Sequence, residues 1–241
     1  MPLDGSMVEF QANPSAQLEA RLEALNNKTQ ECESELVAMQ HEQEQFMLSI
    51  QEGNRRVAQM AQLQQQQPTS PELETKLQKE KEAINAALGQ KCIVLNTSRT
   101  KWVEKQKANV HEVAQLQSTV LDDELIKWKR GQQLAGNGYN FDNNLEKIQV
   151  WCEMIVEIIL KMRNQFHRFQ QLLNNMQLNQ VNTADMVAHL YKESTELLKN
   201  MVTSTFIIEK QPPQVMKTNT RFTSTVRLLV GGKLNGKFFA H

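Results

Sequence analysis

From Leu18 onward, apolar residues recur at alternating steps of four and three: Leu22, Leu25, Thr29, Cys32, Leu36, Met39, Gln43, Phe46, Ile50, Gly53, Val57 and Met60, with ten of these thirteen positions apolar. A 3.5-residue repeat held over six heptads makes a narrow seam that needs another helix to cover it, and it predicts a helix over 15–67. At about 1.5 Å per residue such a helix is roughly 75 Å long, which predicts a rod rather than a ball. The glutamine run and prolines of 64–71 break it, with Ser70 and Pro71 placed as N-cap and first-turn residue of the next helix. That helix, over 71–133, carries Leu73, Leu77, Ile84, Leu88, Leu95, Trp102, Val110, Val113, Leu116 and Val120 on a looser stripe, and stops at Ala135-Gly136-Asn137-Gly138.

The third helix, over 142–178, starts with Asp142 or Asn143 as cap and Glu146 completing a capping arrangement. Its seam is the cleanest: Leu145, Ile148, Cys152, Ile155, Ile159, Met162, Phe166, Phe169, Leu173 and Met176 are all apolar, and Trp151, Met154, Ile158 and Leu172 widen the stripe. A stripe that wide marks the central helix of a bundle. After a polar reversal at 179–182, a fourth helix over 182–210 turns Val187, Leu190, Leu197, Met201 and Ile208 inward until Pro212 and Pro213 end it. Short connections imply antiparallel neighbours.

Beyond Pro213 the period becomes two: Phe222, Ser224, Val226, Leu228 and Val230 alternate with Arg221, Thr223, Thr225, Arg227 and Leu229. Charge shifts as well. Residues 1–210 hold 22 basic and 27 acidic groups, net −5, whereas 211–241 hold five basic groups and no acidic one, net +5. An immunoglobulin-like sandwich takes about 100 residues, and a lone hairpin is marginal in water. The fold class expected is therefore mainly α: an elongated antiparallel four-helix coiled-coil bundle at 15–211, then an incomplete β (immunoglobulin-like) segment at 212–241. Residues 1–14 read as a tag or disordered lead-in.

Composition narrows function more than fold. The 241 residues balance 27 Lys plus Arg against 27 Asp plus Glu, so bulk charge selects no partner. Only 9 Gly, 6 Pro and 6% aromatics starve an all-β or α/β reading of its turns and strand fillers. Cys32, Cys92 and Cys152, an odd number with no CxxC pair, indicate neither a disulfide framework nor a zinc site, and point to a reducing compartment. The most apolar stretch, Val150 to Leu160, contains Glu153 and Glu157, so no membrane span or signal peptide is expected.

Reactive constellations fail one by one. His41-Glu42 and His111-Glu112 would need a second histidine where Gln45 and Gln115 stand, so neither is a zinc motif. The di-iron Glu-x-x-His pattern meets Ala38, Ala108, Asn164 and Met186 three residues before the helix histidines. Gly131 to Gly138 lacks the lysine and hydroxyl of a phosphate loop. No catalytic, cofactor-binding or metal residue is assigned, no small-molecule substrate is expected, and the chain reads as a non-enzyme. The remaining candidates are Lys217, Arg221, Arg227, Lys233 and Lys237, whose charges could give a weak, sequence-blind attraction to DNA or phosphate.

Two stretches carry a resemblance. Trp128-Lys129-Arg130-Gly131-Gln132-Gln133-Leu134-Ala135-Gly136-Asn137-Gly138, followed by Leu145, Ile148, Trp151 and Cys152, resembles the second-to-third helix passage of the STAT family, the signal transducers and activators of transcription. Phe206 to Val215, Lys217-Thr218 and Thr225 to Asn235 resemble the passage from the coiled-coil domain into the DNA-binding domain, in wording closest to the members that answer prolactin and growth hormone. The tail from Gly236 to His241 departs from that pattern. The resemblance implies a latent transcription factor of cytoplasm and nucleus, phosphorylated on tyrosine, with this chain as its protein-interaction domain. Implied partners are cytokine receptor and kinase complexes, nuclear import factors, co-regulators and a second copy of itself, while DNA is bound only by the full-length protein. A generic coiled-coil tether, dimerising through helix one, is the alternative reading of the same seams.

Overall fold

A computed structural model describes residues 14–66, 71–176, 178, 181–213 and 215–234. Residues 1–13 of the lead-in, Ser70, the side chain of Leu73, residues 179 and 180 of the 179–182 reversal, Lys237 and the 236–241 tail lie outside the described residues. The elements are α1 (Pro14–Gln66), α2 (Pro71–Ser118), a π-helical turn (Thr119–Glu124), α3 (Leu125–Ala135), α4 (Leu145–Asn175), α5 (Val181–Ser204), β1 (Phe206–Lys210), β2 (Thr225–Leu228) and a short α6 (Gly231–Leu234). They fall into two units. One comprises residues 30–108 and 162–193; the other comprises the chain up to 29, 109–161 and everything from 194.

In the unit of 30–108 and 162–193, α1 and α2 run in opposite directions. The Trp102 indole donates to the Cys32 carbonyl at 2.9 Å, and farther along Lys91 Nζ donates to Ser49 Oγ at 2.7 Å. Helix α4 runs against α2. Trp102 stacks on Phe169 with centroids 4.4 Å apart and meets Phe166 edge-on at 6.2 Å, while Gln106 Nε2 donates to Gln165 Oε1 at 2.6 Å. Aromatic pairs of this kind add to what burial alone supplies. Helix α5 packs beside α4, where Arg163 donates to the Tyr191 hydroxyl at 3.0 Å.

In the unit of the chain up to 29, 109–161 and from 194, α1 again opposes α2, with Lys28 pairing Glu112 at 2.7 Å, and runs alongside α4, with Lys147 pairing Glu19 at 3.0 Å. Leu22, Leu25, Leu116, Val120, Ile148, Cys152 and Met201 are completely buried or nearly so. Burial raises the Cys152 thiol to about 12, so it is an inert core group.

Three sequence boundaries shift. The second helix is not uniform over 71–133: a π turn over Thr119–Glu124 interrupts it, and it buries Val120 and Leu121 side by side ahead of Leu125. Helix α4 begins at Leu145, and the Asn143 side chain is no cap; its Oδ1 accepts the Trp128 indole N–H at 3.0 Å. The fourth helix stops at Ser204 rather than 210. Ile208, expected inside a helix, sits exposed on β1, while Ile207 is buried. Branched and aromatic side chains at 206–208 favour the pleated conformation once a partner strand is at hand, and the proline pair marks the end of that strand instead. Of the two turn glycines, only Gly138 adopts positive φ, at 85°.

Candidate interaction site at the helix–strand junction

A single residue separates α5 from β1. Thr205 lies fully buried and its Oγ1 donates to the Met201 carbonyl at 2.6 Å, while its own carbonyl receives the Leu229 N–H at 3.1 Å. The last helical turn and the sheet are thus joined through one backbone group. β1 and β2 pair antiparallel, Phe206 opposite Leu228 and Ile208 opposite Val226, with an irregularity between Ile208 and Lys210. This pairing within the chain is what satisfies the β segment's strand edge on one side. Alternation sorts β1, with Ile207 buried between exposed Phe206 and Ile208; Val226, opposite Ile208, is exposed too, and Leu229 and Val230, just past β2, are buried.

Polar groups hold the hairpin and α6 to the bundle. Gln149, Glu153 and Glu157 follow one another at four-residue steps along α4 and share one face. Arg227 reaches Gln149 at 3.2 Å and pairs with Glu209 at 3.1 Å; Lys233 pairs with Glu157 at 2.8 Å, and Lys161 reaches the other oxygen of the same carboxylate at 3.0 Å. Hydrogen bonds from Lys233 first, and then Lys161, hold the Glu157 carboxyl at about 2, and Glu157 in turn raises the Lys233 ammonium. From α3, the Gln132 amide donates to the carbonyls of Ile208 and Glu209 at 3.3 and 2.6 Å.

The sequence candidates therefore divide. Arg227 and Lys233 are occupied by acceptors of the same chain. Lys217 and Arg221 stand exposed, without an ion pair among the described residues. Of the ten α4 seam residues, Leu145 through Phe169 are buried, and Leu173 and Met176 are half-buried at the end of the helix. Sequence reasoning missed a buried polar layer on α2: Arg99, Gln106 and Asn109 occupy seam positions and are 0%, 0% and 5% exposed. Arg99 bonds Gln43 Oε1 and the Met176 carbonyl at the end of α4, with burial lowering its guanidinium pKa. The signal was available, since alternating steps of four and three from Leu88 land on Cys92, Leu95, Arg99, Trp102, Gln106 and Asn109. Among the described residues no cluster of three or more His, Cys, Asp and Glu could hold a metal, and no helix is long and apolar enough to cross a membrane.

Residues 19–198 match the family model of the STAT transcription factor coiled-coil domain. The chain belongs to the STAT family. Residues 210–241 match the STAT DNA-binding domain, so the α5–β1 junction lies in the gap between the two matches, 199–209. A Drosophila melanogaster signal transducer and transcription activator is 39% identical over 112 residues, 46% of this chain; the matched part is 14% of that protein's length. Among solved structures, one described as the crystal structure of STAT2 in complex with IRF9 superposes with a TM-score of 0.65 at 13% identity, over 78% of this chain and 98% of that one. At that identity the likeness concerns fold, and it fits a helical bundle followed by part of a β domain. The STAT matches describe transcription factors, not enzymes.

Proposed function

We propose that this chain is the protein-interaction bundle of a STAT-type transcription factor in cytokine signalling. Its outer helix faces receive receptor and kinase complexes, import factors and co-regulators, in cytoplasm and nucleus. DNA reading belongs to the longer protein, whose DNA-binding domain starts in the β segment; the wording of 206–235 favours the prolactin- and growth-hormone-responsive branch. The observation that carries the reading is the disposition of the seams: apolar residues of α1 up to Phe46, of α2 from Leu95, of α4 and of α5 are consumed inside the chain, which leaves mostly polar outer faces there as the means of recognition. The STAT2 chain of the same fold, solved with IRF9, supports protein docking on such a bundle.

The tether reading is disfavoured by α1, whose seam from Leu18 to Phe46 is already buried within the chain. Competition tests the proposal. Expressed in excess in cytokine-responsive cells, the chain should dampen a reporter driven by the endogenous STAT and co-precipitate with that pathway's receptor complex. An unchanged reporter, with no receptor recovered, would overturn it.

A further inference from the structure

The last described bonds from α4 to α1 and α2 are those of the Leu172 carbonyl with Gln43 and the Met176 carbonyl with Arg99. Beyond those points, α1 past Phe46 and α2 before Leu95 continue with the seam pattern, but burial falls away. Ile50, Val57 and Met60 on α1, and Ile84 and Leu88 on α2, are only half-buried. Two helices cover only one side of each other's stripe, whereas a bundle covers both. The uncovered side is a groove of about 380 Å³. Its floor lies at Gly53, where the helices meet tightly: a Cβ there would sit 3.1 Å from Ile84 Cγ2 and 3.5 Å from Leu88 Cδ1. One wall is Leu48, 56% exposed.

The charges around this floor are unequal. Glu52 is shared by Arg55 at 3.3 Å and Arg56 at 3.0 Å, and Lys91 contacts the Ser49 hydroxyl instead of a carboxylate. The groove itself is lined by two cations, Arg56 and Lys91, against the single anion Glu52. A second copy of the chain is a poor occupant, because a two-fold contact sets a patch against itself and would bring like charge to like. We propose that this groove docks an amphipathic helix of a partner protein, one that places aliphatic residues four apart onto the Gly53 floor and carboxylates against Lys91 and Arg56. Helix-in-groove recognition of this kind takes its affinity from the aliphatic anchors and its orientation from the charged rim. The inference rests on the reading of the chain as an interaction bundle and assigns one surface to it.

The test is a phage library of helical peptides, with core positions drawn from Leu, Ile, Met, Ala and Gln and flanks from Glu, Lys and Gln, selected against the whole chain. Enriched clones should carry a four-spaced aliphatic pair with acidic flanks. Synthetic peptides made from them should lose at least about tenfold in affinity to Leu48→Ser and to Lys91→Glu, a normal loss for a central anchor, and keep it with Lys91→Arg. Leu48 and Lys91 are exposed, so circular dichroism should find all variants folded. Failure to enrich any clone, basic flanks, or a dimer that Leu48→Ser dissociates would each overturn the groove assignment. Clones indifferent to both substitutions would overturn it too, yet leave the interaction reading standing, since the reporter competition decides that separately.

Discussion

Arg99 offers the sharpest test of how the bundle is held together. Among the described residues its guanidinium is buried without a carboxylate; it leans on Gln43 Oε1 and on the Met176 carbonyl at 3.3 Å, and its Nε has no partner there. Replacing Gln43 with leucine, close to it in volume, removes the acceptor and leaves the cation with one long bond. An uncompensated charge in such a place costs on the order of 3–5 kcal/mol. Adding Arg99→Met to the same chain removes the charge as well. The double variant should then recover to the parent's stability or exceed it by about 1–4 kcal/mol, as buried ionic groups replaced by packed apolar ones commonly do. Urea unfolding followed by far-ultraviolet circular dichroism reads both quantities. Rescue is the decisive observation: if Gln43→Leu stays within about 1 kcal/mol of the parent, or the double variant is no more stable than the single, the guanidinium is not the strained group inferred here.

Other outcomes follow from the same coordinates. Phe166→Asp, at a position with no solvent exposure, should cost several kcal/mol and abolish cooperative melting in a thermal scan; a parental melt would refute the seam assignment. Glu157, held at about 2 against 4.5 for a free carboxyl, contributes stability that is complete above 4.5 and is lost as pH falls from 4.5 towards 2. Hydrogen-exchange protection at β2 and α6, taken relative to the intrinsic rate at each pH, should therefore fall across that window in the parent but not in Glu157→Gln. For weak DNA attraction, neutralising Lys217 or Arg221 should each reduce the salt slope by up to about 0.9, measured by anisotropy with a random duplex, whereas neutralising Arg227 should instead loosen the hairpin.

The seams of α1 and α4 were legible because nothing but a helical neighbour can cover a stripe of period 3.5, and both proved buried along most of their length. The α2 stripe looked loose for a physical reason now visible: Arg99, Gln106 and Asn109 occupy seam positions, and a pattern search that counts only apolar residues skips them. The end of α5 was misplaced since proline is a strong stop signal, while the actual stop depends on Thr205 closing onto Met201 and on β2 arriving from twenty residues downstream. Long-range pairing of that sort leaves little trace in local sequence. Equally hidden was the occupation of Arg227 and Lys233 by Gln149, Glu209 and Glu157; net charge in a tail says nothing about which acceptors lie beneath it. The half-open stretch of α1 and α2 could not be foreseen either, because the seam pattern does not tell how far α4 reaches.

Thr205 has one last implication. With no slack between the final turn of α5 and the first rung of the sheet, there is no joint at which rotation could be absorbed. A torque applied to that helix by a bound protein would be delivered whole to the strand, like a key turning a spindle. Splicing a few glycines after Ser204 would act as a clutch, disengaging one from the other while leaving both intact.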